Sequence, residues 1–105
     1  MARRLVFSVI TPLGYRVVLT RDRWREIYRR KHRSLLNQEN AVRACLQSPR
    51  LIMRSTKEDD VHLYYRSNHR AFICVVVARR TETDYFVRTA YFTARIKKGE
   101  VLWEQ

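Results

Sequence analysis

Alternating apolar and polar positions near the start of the chain predict two β-strands joined by a tight turn. Leu5–Ile10 and residues 15–19 both alternate, and the four residues between them include Pro12 and Gly14, which favour a turn. A connection this short joins neighbouring antiparallel strands. The sequence therefore predicts a β-hairpin over residues 5–19.

The pattern then becomes helical. Trp24, Ile27 and Tyr28 are spaced so that their side chains share one helix face, which predicts a helix over about residues 21–31. Thr20 is the expected N-cap of this helix because its hydroxyl can accept a hydrogen bond from the first turn. Seven basic residues fall between positions 21 and 33, and arginines recur every four residues on another face: Arg21, Arg25, Arg29 and Arg33.

A second helix is predicted before Pro49, with Asn37 as its N-cap. Its apolar stripe consists of Ala41, Val42, Cys45 and Leu46.

From position 50 onward the period returns to two, as expected for strands. Four segments separated by polar, turn-prone residues predict an antiparallel meander: RLIMRS, VHLYYRS, AFICVVVAR and DYFVRTAYFTARI. AFICVVVA is apolar on both faces, so it is expected at the centre of the sheet. Residues 101–103 are able to add a short C-terminal edge strand.

The element order ββ-αα-ββββ separates helices from strands, which is typical of the α+β class. We therefore expect two helices packed on one face of a curved antiparallel sheet. A chain of 105 residues with 46% hydrophobic residues is sufficient for one core, so residues 1–105 are expected to form a single domain. The other sheet face is then exposed or serves for binding.

The net charge narrows the choice of partners. The chain has 22 Lys plus Arg against 10 Asp plus Glu, a formal charge of +12, which favours a polyanion or an acidic protein as partner. Eighteen of the basic residues are arginine, whose planar guanidinium suits phosphate contacts and base stacking. This excess favours RNA or DNA, although a GC-rich genome produces the same bias.

Several classes of function are disfavoured. Cys45 and Cys74 are expected to be core thiols, and the scattered acidic residues offer no convincing metal-ligand spacing, so neither a metal nor a cofactor is expected. Gly14 and Gly99 are the only glycines, which excludes a glycine-rich phosphate loop. The N-terminal apolar run breaks at Pro12, and no other stretch can span a bilayer, so a cytoplasmic location without membrane association is expected.

The candidate chemistry centres on His32, which lies one turn beyond Tyr28, between the apolar stripe and the arginines. A structural alternative is that His32 is only a cation at the helix end. In the strand VHLYYRS, alternation predicts one polar and cationic face, formed by His62, Tyr64 and Arg66. In the last long strand, either Arg88 or the pair Thr89 and Tyr91 joins that face. These groups can supply the acid–base group and cations that RNA cleavage needs without metal.

The segments RWREIYRRKH, VHLYYR, CVVVA, VRTAYFT and IKKGEVLWE, together with the second helix, resemble the barnase–EndoU–colicin–RelE-like nuclease group, particularly its phage and polymorphic-toxin branch. The resemblance covers roughly residues 14–104. It implies a small α+β fold with its active site on the sheet and metal-independent endoribonuclease activity, often as a toxin held in check by a partner. The matching positions are His32, Tyr64, Tyr65, Arg66, Thr89 and Tyr91.

Two features depart from the family pattern. Arg33 stands where a proline commonly follows the helix histidine, and no carboxylate stands in the place of a barnase-like general base. An acidless site would depend, as in RelE-like enzymes, on cations and a tyrosine. Loss of catalysis with retention of RNA binding is the alternative.

The function expected from the sequence is a toxin-type endoribonuclease that uses 2′-hydroxyl attack. The expected catalytic residues are His32, Arg66, Arg88, Thr89 and Tyr91. The expected RNA-binding residues are Arg25, Arg29, Arg30, Lys31, Arg33, Tyr64, Tyr65 and Arg70. Alternation implies that at least one of the tyrosines packs inside the fold. The alternative functions are a non-catalytic RNA-binding module and a basic domain that binds an acidic antitoxin or immunity protein.

Overall fold

The computed structural model, which describes residues 4–69 and 71–105, is built on one mixed seven-stranded sheet. Its strands are β1 Leu5–Ile10, β2 Arg16–Thr20, β3 Leu51–Arg54, β4 Val61–Asn68, β5 Ala71–Arg79, β6 Asp84–Thr93 and β7 Glu100–Glu104. Their order across the sheet is β1-β2-β6-β5-β4-β3-β7. The α+β class is confirmed. Arg70, one of the expected RNA-binding residues, lies outside the described residues.

The N-terminal hairpin is confirmed. β1 and β2 pair antiparallel, and the turn between them is closed by hydrogen bonds from Thr11 N–H to the Tyr15 carbonyl (2.9 Å) and from Gly14 N–H to the Thr11 carbonyl (2.8 Å). Gly14 has a φ of +86°, which lies in the left-handed region that glycine adopts without steric cost.

The meander and its central strand are also confirmed. β3, β4, β5 and β6 pair in sequence and antiparallel, and β5 is the fourth of the seven strands. Cys74, Val75 and Val77 are fully buried, as expected for a strand that is covered on both faces.

The prediction of a wholly antiparallel sheet is wrong, because β2 and β6 are parallel. The chain leaves β2, passes through the helices and enters the meander at the far side of the sheet, so that β6 reaches β2 running in the same direction. Residues 94–99 then connect β6 to β7, which pairs with β3 at the opposite edge. The sheet is not strongly curled.

The first helix is shorter than its sequence pattern indicates. The α-helix α1 covers Arg21–Glu26 and begins as expected, with the Thr20 hydroxyl accepting a hydrogen bond from Arg23 N–H (3.2 Å). A π-helical turn, Ile27–Lys31, follows it, and a 3-10 turn, Arg33–Leu35, comes after His32. Of the four arginines predicted to lie in one row, Arg33 therefore falls in the 3-10 turn and not on the helix.

The second helix, α2, covers Glu39–Gln47, and Val42, Cys45 and Leu46 are fully buried on its inner face as predicted. The predicted cap is wrong. Asn37 lies outside the helix with a φ of +65°, a conformation that asparagine tolerates better than most residues, and Gln38 flanks the helix without a side-chain cap. None of the helices in the described residues has the length and apolar composition that a bilayer crossing requires.

The two faces of the sheet differ in their cover. α2 packs across β1, β4 and β5 on what we call the helix face. The helix-face core includes Phe7, Leu19, Ile27, Leu35, Tyr64, Val75, Tyr85, Val87 and Ala90. The opposite side, here the distal face, has a smaller buried cluster that comprises Met53, Val61, Leu63, Tyr65, Cys74 and Ala78. Residues 94–99 contact this cluster at Tyr65 and Met53.

His62 is a buried histidine on the helix face. Its side chain is 4% exposed and stacks on the Tyr85 ring at 4.8 Å between centroids, with Tyr15 at 6.0 Å. Its Nδ1 has no hydrogen-bond partner among the described residues. Burial lowers the pKa of His62 to about 4, and the charges of Arg54 and Arg79 act in the same direction.

His62 should make stability pH-dependent. The folded pKa lies below the unfolded value of 6.5, so the unfolded chain binds more protons between pH 6.5 and about 4. The stabilisation from keeping His62 neutral is complete above pH 6.5 and is lost as pH falls toward 4, by at most about 3 kcal/mol. In the His62→Phe variant, the free energy of unfolding by urea should change less across this window. The exposed His69→Phe variant is the control, and an unchanged slope in His62→Phe contradicts the assignment.

Candidate active site

The π-helical turn determines where His32 lies. His32 N–H donates to the carbonyl of Ile27 at 2.8 Å, five residues back, whereas an α-helix would use the carbonyl of Tyr28. The extra residue in the turn changes the direction of the following side chain by roughly 100°. Such turns occur frequently at functional sites. His32 therefore leaves the face that a regular helix would have given it.

The segment that contains His32 packs beside a part of β6 that has no strand neighbour on that side. β2 pairs with β6 only at Asp84, Tyr85 and Phe86, so within the described chain residues 87–93 are open toward α1. The 3-10 turn packs there, and its Leu35 is fully buried. As a result the His32 ring lies 5.6 Å from the Tyr91 ring, at an interplanar angle of 38°.

The protonation of His32 follows from this position. Partial burial lowers the pKa of His32, and the adjacent Lys31 charge lowers it further. The imidazole is therefore neutral at pH 7, which is the form that accepts a proton.

A β-bulge in β6 brings three candidate residues to one face. Val76 pairs with Thr89 whereas Val77 pairs with Val87, so Arg88 is the additional residue in β6. Arg88 lines a groove with distal-face side chains, and Thr89 and Tyr91 pair with distal-face positions of β5. Simple alternation allowed either Arg88 or the pair Thr89 and Tyr91 on a given face of β6. Because of the bulge, all three residues lie on the distal face.

A cationic groove lies beside these residues. It has a volume of about 320 Å³, and its floor is formed by the apolar side chains of Val61, Leu63 and Val76. The basic residues that line it are Lys57, Arg88, Lys97 and Lys98. One carboxylate is also present, because Glu58 Oε2 accepts a hydrogen bond from Arg88 Nη1 at 2.8 Å. The groove thus offers four cations and one competing anion.

Residues 94–99, here the crossing segment, connect this groove to the histidine. Lys97 N–H donates to the Tyr65 hydroxyl at 3.1 Å, and Lys97 Nζ lies 5.7 Å from the centroid of the Tyr91 ring. Tyr65 is fully buried, and burial raises its pKa to about 12. Tyr65 is therefore an anchor for the crossing segment, and it offers no exposed ring for base stacking.

Two buried hydroxyls lie near the groove. Thr89 Oγ1 makes no hydrogen bond among the described residues, and the Tyr91 hydroxyl lies against the Cys74 thiol. Burial raises the pKa of Tyr91, and the nearby Cys74 thiol raises it further, so the phenol stays protonated and able to donate. Unpartnered buried groups are costly and need an explanation. Because both oxygens are covered, a ligand reaches them only if the residues above them move.

Two expected site residues lie on the other side of the sheet. Tyr64 is fully buried on the helix face, donates to Thr11 Oγ1 at 2.9 Å and has a pKa raised by burial to about 12. Arg66 is exposed and donates to the Ser48 carbonyl at 2.7 Å, beyond the end of α2. The structure does not bring either residue together with His32. The expectation of a polar face is wrong for His62 and Tyr64, because both are buried: Tyr15 and Tyr85 pack on the His62 ring, and Tyr64 lies in the helix-face core.

The basic residues around the first helix are solvent-exposed. Arg25, Arg29 and Arg30 line an open groove of about 310 Å³ that also contains Asp22 and Glu26. The exposed residues Lys31 and Arg33 follow them along the chain. The two carboxylates leave the groove along α1 with a net charge of +1, whereas the distal-face groove has a net charge of +3.

Sequence reasoning missed two residues of the site. Lys97 was part of the segment IKKGE that supported the family resemblance, but no role was expected for it. No sequence pattern indicated a role for Glu58, because its partner Arg88 is 30 positions away in the chain. Only the fold reveals such a pair.

Comparison of the chain with protein-family models, with curated proteins and with solved structures gave no significant match. Within the described residues, no group of three or more His, Cys, Asp and Glu side chains is placed to hold a metal ion.

The low pKa of His32 can be measured directly. Because burial and Lys31 both disfavour the imidazolium, the His32 ring should titrate below 6.5 in an NMR pH series. Lys31→Gln should raise the midpoint but only in part, since burial is the larger cause. Arg25→Gln removes an exposed cation elsewhere and is the control. A wild-type midpoint at or above 6.5 is incompatible with this description of the site.

Proposed function

We propose that this protein is a metal-independent endoribonuclease whose active site lies on the distal face. The supporting observation is that His32 and Lys97, from separate chain segments, both lie against the Tyr91 ring, and that Lys97 lines a groove together with Arg88. His32 comes from the π-helical turn, Arg88 from the bulge in β6, and Lys97 from the crossing segment. Thr89 and Tyr91 complete the set.

His32 acts as the base in this proposal. Its neutral imidazole takes the proton of the 2′-hydroxyl, and the resulting oxyanion attacks the adjacent phosphorus. The bond from phosphorus to the 5′ oxygen breaks, and that oxygen takes a proton from solvent. The products are a 2′,3′-cyclic phosphate and a 5′-hydroxyl end.

Arg88 and Lys97 stabilise the charge on the phosphorane. A guanidinium can contact two phosphate oxygens at once, and an ammonium supplies a compact positive charge. Arg88 is held by Glu58 when RNA is absent, but the side chains are 39% and 55% exposed. Such an exposed ion pair contributes only about 0–1 kcal/mol, so a phosphate can replace the carboxylate at little cost.

The charge of +12 supports a polyanionic substrate and also fits an acidic antitoxin or immunity protein in a cytoplasmic toxin system. The second candidate function is RNA binding without cleavage on the same face. It is favoured by one specific observation: the Tyr91 hydroxyl is buried, so a phosphate held by Arg88 and Lys97 does not reach it as a proton donor.

The nuclease proposal is tested by incubating labelled RNA with wild-type protein and the His32→Ala variant in excess EDTA. Wild type should give discrete products with cyclic phosphate ends. His32→Ala should cleave roughly 10²–10⁴-fold more slowly while binding RNA almost as tightly, because it loses a proton acceptor and not a cation.

The control for this test is His69→Ala, which removes an exposed histidine outside the proposed site. Equal cleavage by His32→Ala and wild type contradicts the role of His32. RNA that is bound but left intact by wild type supports the binding module instead.

Glu58→Gln separates the role of the carboxylate from that of the cations. Removal of a negative charge from the groove should tighten RNA binding by a few-fold, on the order of 2–10-fold, because Arg88 no longer has a competing partner. Glu82→Gln, an equal charge change at an exposed turn, is the control. Tighter binding combined with a loss of cleavage comparable to that of His32→Ala would show that Glu58 is itself the proton acceptor.

A further inference from the structure

A second groove lies on the distal face, toward the start of β6. It has a volume of about 290 Å³ and is lined by Val18, Thr20, Arg23, Arg80 and Phe86. Two of these five residues are arginines, and none is acidic. This composition differs from the groove along α1, where two carboxylates lie among the arginines.

The arginine and the aromatic ring in this groove are already in contact. The guanidinium carbon of Arg23 lies 5.6 Å from the centroid of the Phe86 ring, within the range of a cation–π interaction. Phe86 is only partly buried, so its side chain remains accessible from the groove. A ring and a guanidinium held together form a surface on which a flat aromatic group can stack.

The groove is in line with the proposed active site. Phe86 pairs with Ala78 and faces the same side of β6 as Thr89 and Tyr91. Phe86 and Tyr91 are five positions apart, but because of the bulge their partners in β5, Ala78 and Cys74, are only four apart, which is roughly 13 Å at the usual rise of a strand. A nucleic-acid strand lying along β6 would therefore pass both places.

We propose that the groove around Phe86 binds a nucleotide of the RNA strand that flanks the cleaved phosphate. The base stacks against Phe86 and Arg23, and the Arg80 guanidinium contacts a backbone phosphate of the same strand. This proposal rests on the proposed endoribonuclease function, because it assigns the groove to the same RNA. It specifies single-stranded RNA as the substrate class, since a stacked base must be free of its duplex partner.

The chemistry of the groove also determines how selective it is. Stacking does not distinguish strongly between bases because every base has a π-face, and the groove lining has few groups that would read base edges. The nucleotide bound there is therefore expected to add affinity without strong sequence preference. The length of the RNA, more than its sequence at this position, should control binding.

The test measures binding of fluorescent 2′-O-methyl oligoribonucleotides of two to eight residues, which cannot be cleaved by 2′-hydroxyl attack. Wild-type affinity should rise by about 5- to 100-fold once the oligomer is long enough to reach the groove, the usual gain from one stacked base. Phe86→Leu should lose most of this gain without changing the affinity for the shortest oligomer, and Phe86→Tyr should keep it. Arg80→Gln should reduce the gain and its salt dependence.

Arg25→Gln is the matched charge control, because Arg25 lines the separate groove along α1. An unchanged length dependence in Phe86→Leu overturns the proposal, as does a loss in Phe86→Leu that Phe86→Tyr fails to restore.

The same variants are tested for cleavage of unmodified RNA beside His32→Ala. If wild type does not cleave RNA but Phe86→Leu loses the rise in affinity with oligomer length, the groove assignment holds and the nuclease proposal fails. If cleavage depends on His32 and the length dependence is unaltered, only the groove assignment fails.

Discussion

The short parallel pairing between β2 and β6 is the constraint on which the candidate site depends. β2 contacts β6 along three residue pairs only, from Arg16 with Asp84 to Val18 with Phe86. Beyond them the chain turns into α1, and the rest of β6 is left without a described strand neighbour on that side. A longer pairing would have filled this space with backbone hydrogen bonds. Instead, the irregular segment after α1 packs there and brings His32 to Tyr91.

Two further irregularities complete the arrangement. The bulge at Arg88 turns consecutive side chains of β6 toward the same face, which a regular strand cannot do. The crossing segment connects two strands at distant positions in the sheet, and Tyr65 holds it by accepting a hydrogen bond from Lys97 N–H. The π-helical turn, the bulge and the crossing segment thus each deliver one member of the site. Regular helices and strands would have placed these residues apart.

Much of the framework could be predicted from the sequence because the signals for it are local. The hairpin turn with Gly14, the cap at Thr20 and the doubly apolar strand β5 all depend on residues that are close in the chain. The parallel pairing of β2 and β6 depends on the path of the whole chain across the sheet. No pattern within either strand reveals it.

The site was predictable only in part, for the same reason. His32 was expected one turn beyond Tyr28 on a regular helix, between the apolar stripe and the arginines, whereas the π-helical turn moves it off that face and beside Tyr91. Alternation correctly separated Tyr64 from Tyr65, but it does not say which of the two faces the helices cover. Tyr64, an expected RNA-binding residue, is therefore fully buried, whereas Arg66 is exposed but lies on the helix face.

The contact between Arg88 and Glu58 was beyond sequence reasoning, because it requires both the bulge and a loop 30 residues away. Local periodicity detects neither the position of a bulge nor a contact between distant segments. These are the features that decide which charges line the groove.

The distribution of charge is one reason for proposing that RNA binds the distal face. The most basic stretch of the sequence is partly neutralised by Asp22 and Glu26, whereas the distal groove combines four cations with one displaceable carboxylate. The three lysines of the distal groove are solvent-exposed above an apolar floor of Val61, Leu63 and Val76.

The most direct test of this account is to map the RNA contact surface by NMR, with a short 2′-O-methyl RNA added to isotope-labelled protein. The account predicts that the largest changes in amide and side-chain signals occur at His32, Arg88, Thr89, Tyr91 and Lys97. Changes confined to the exposed arginines of α1, or to Arg66 on the helix face, would contradict it.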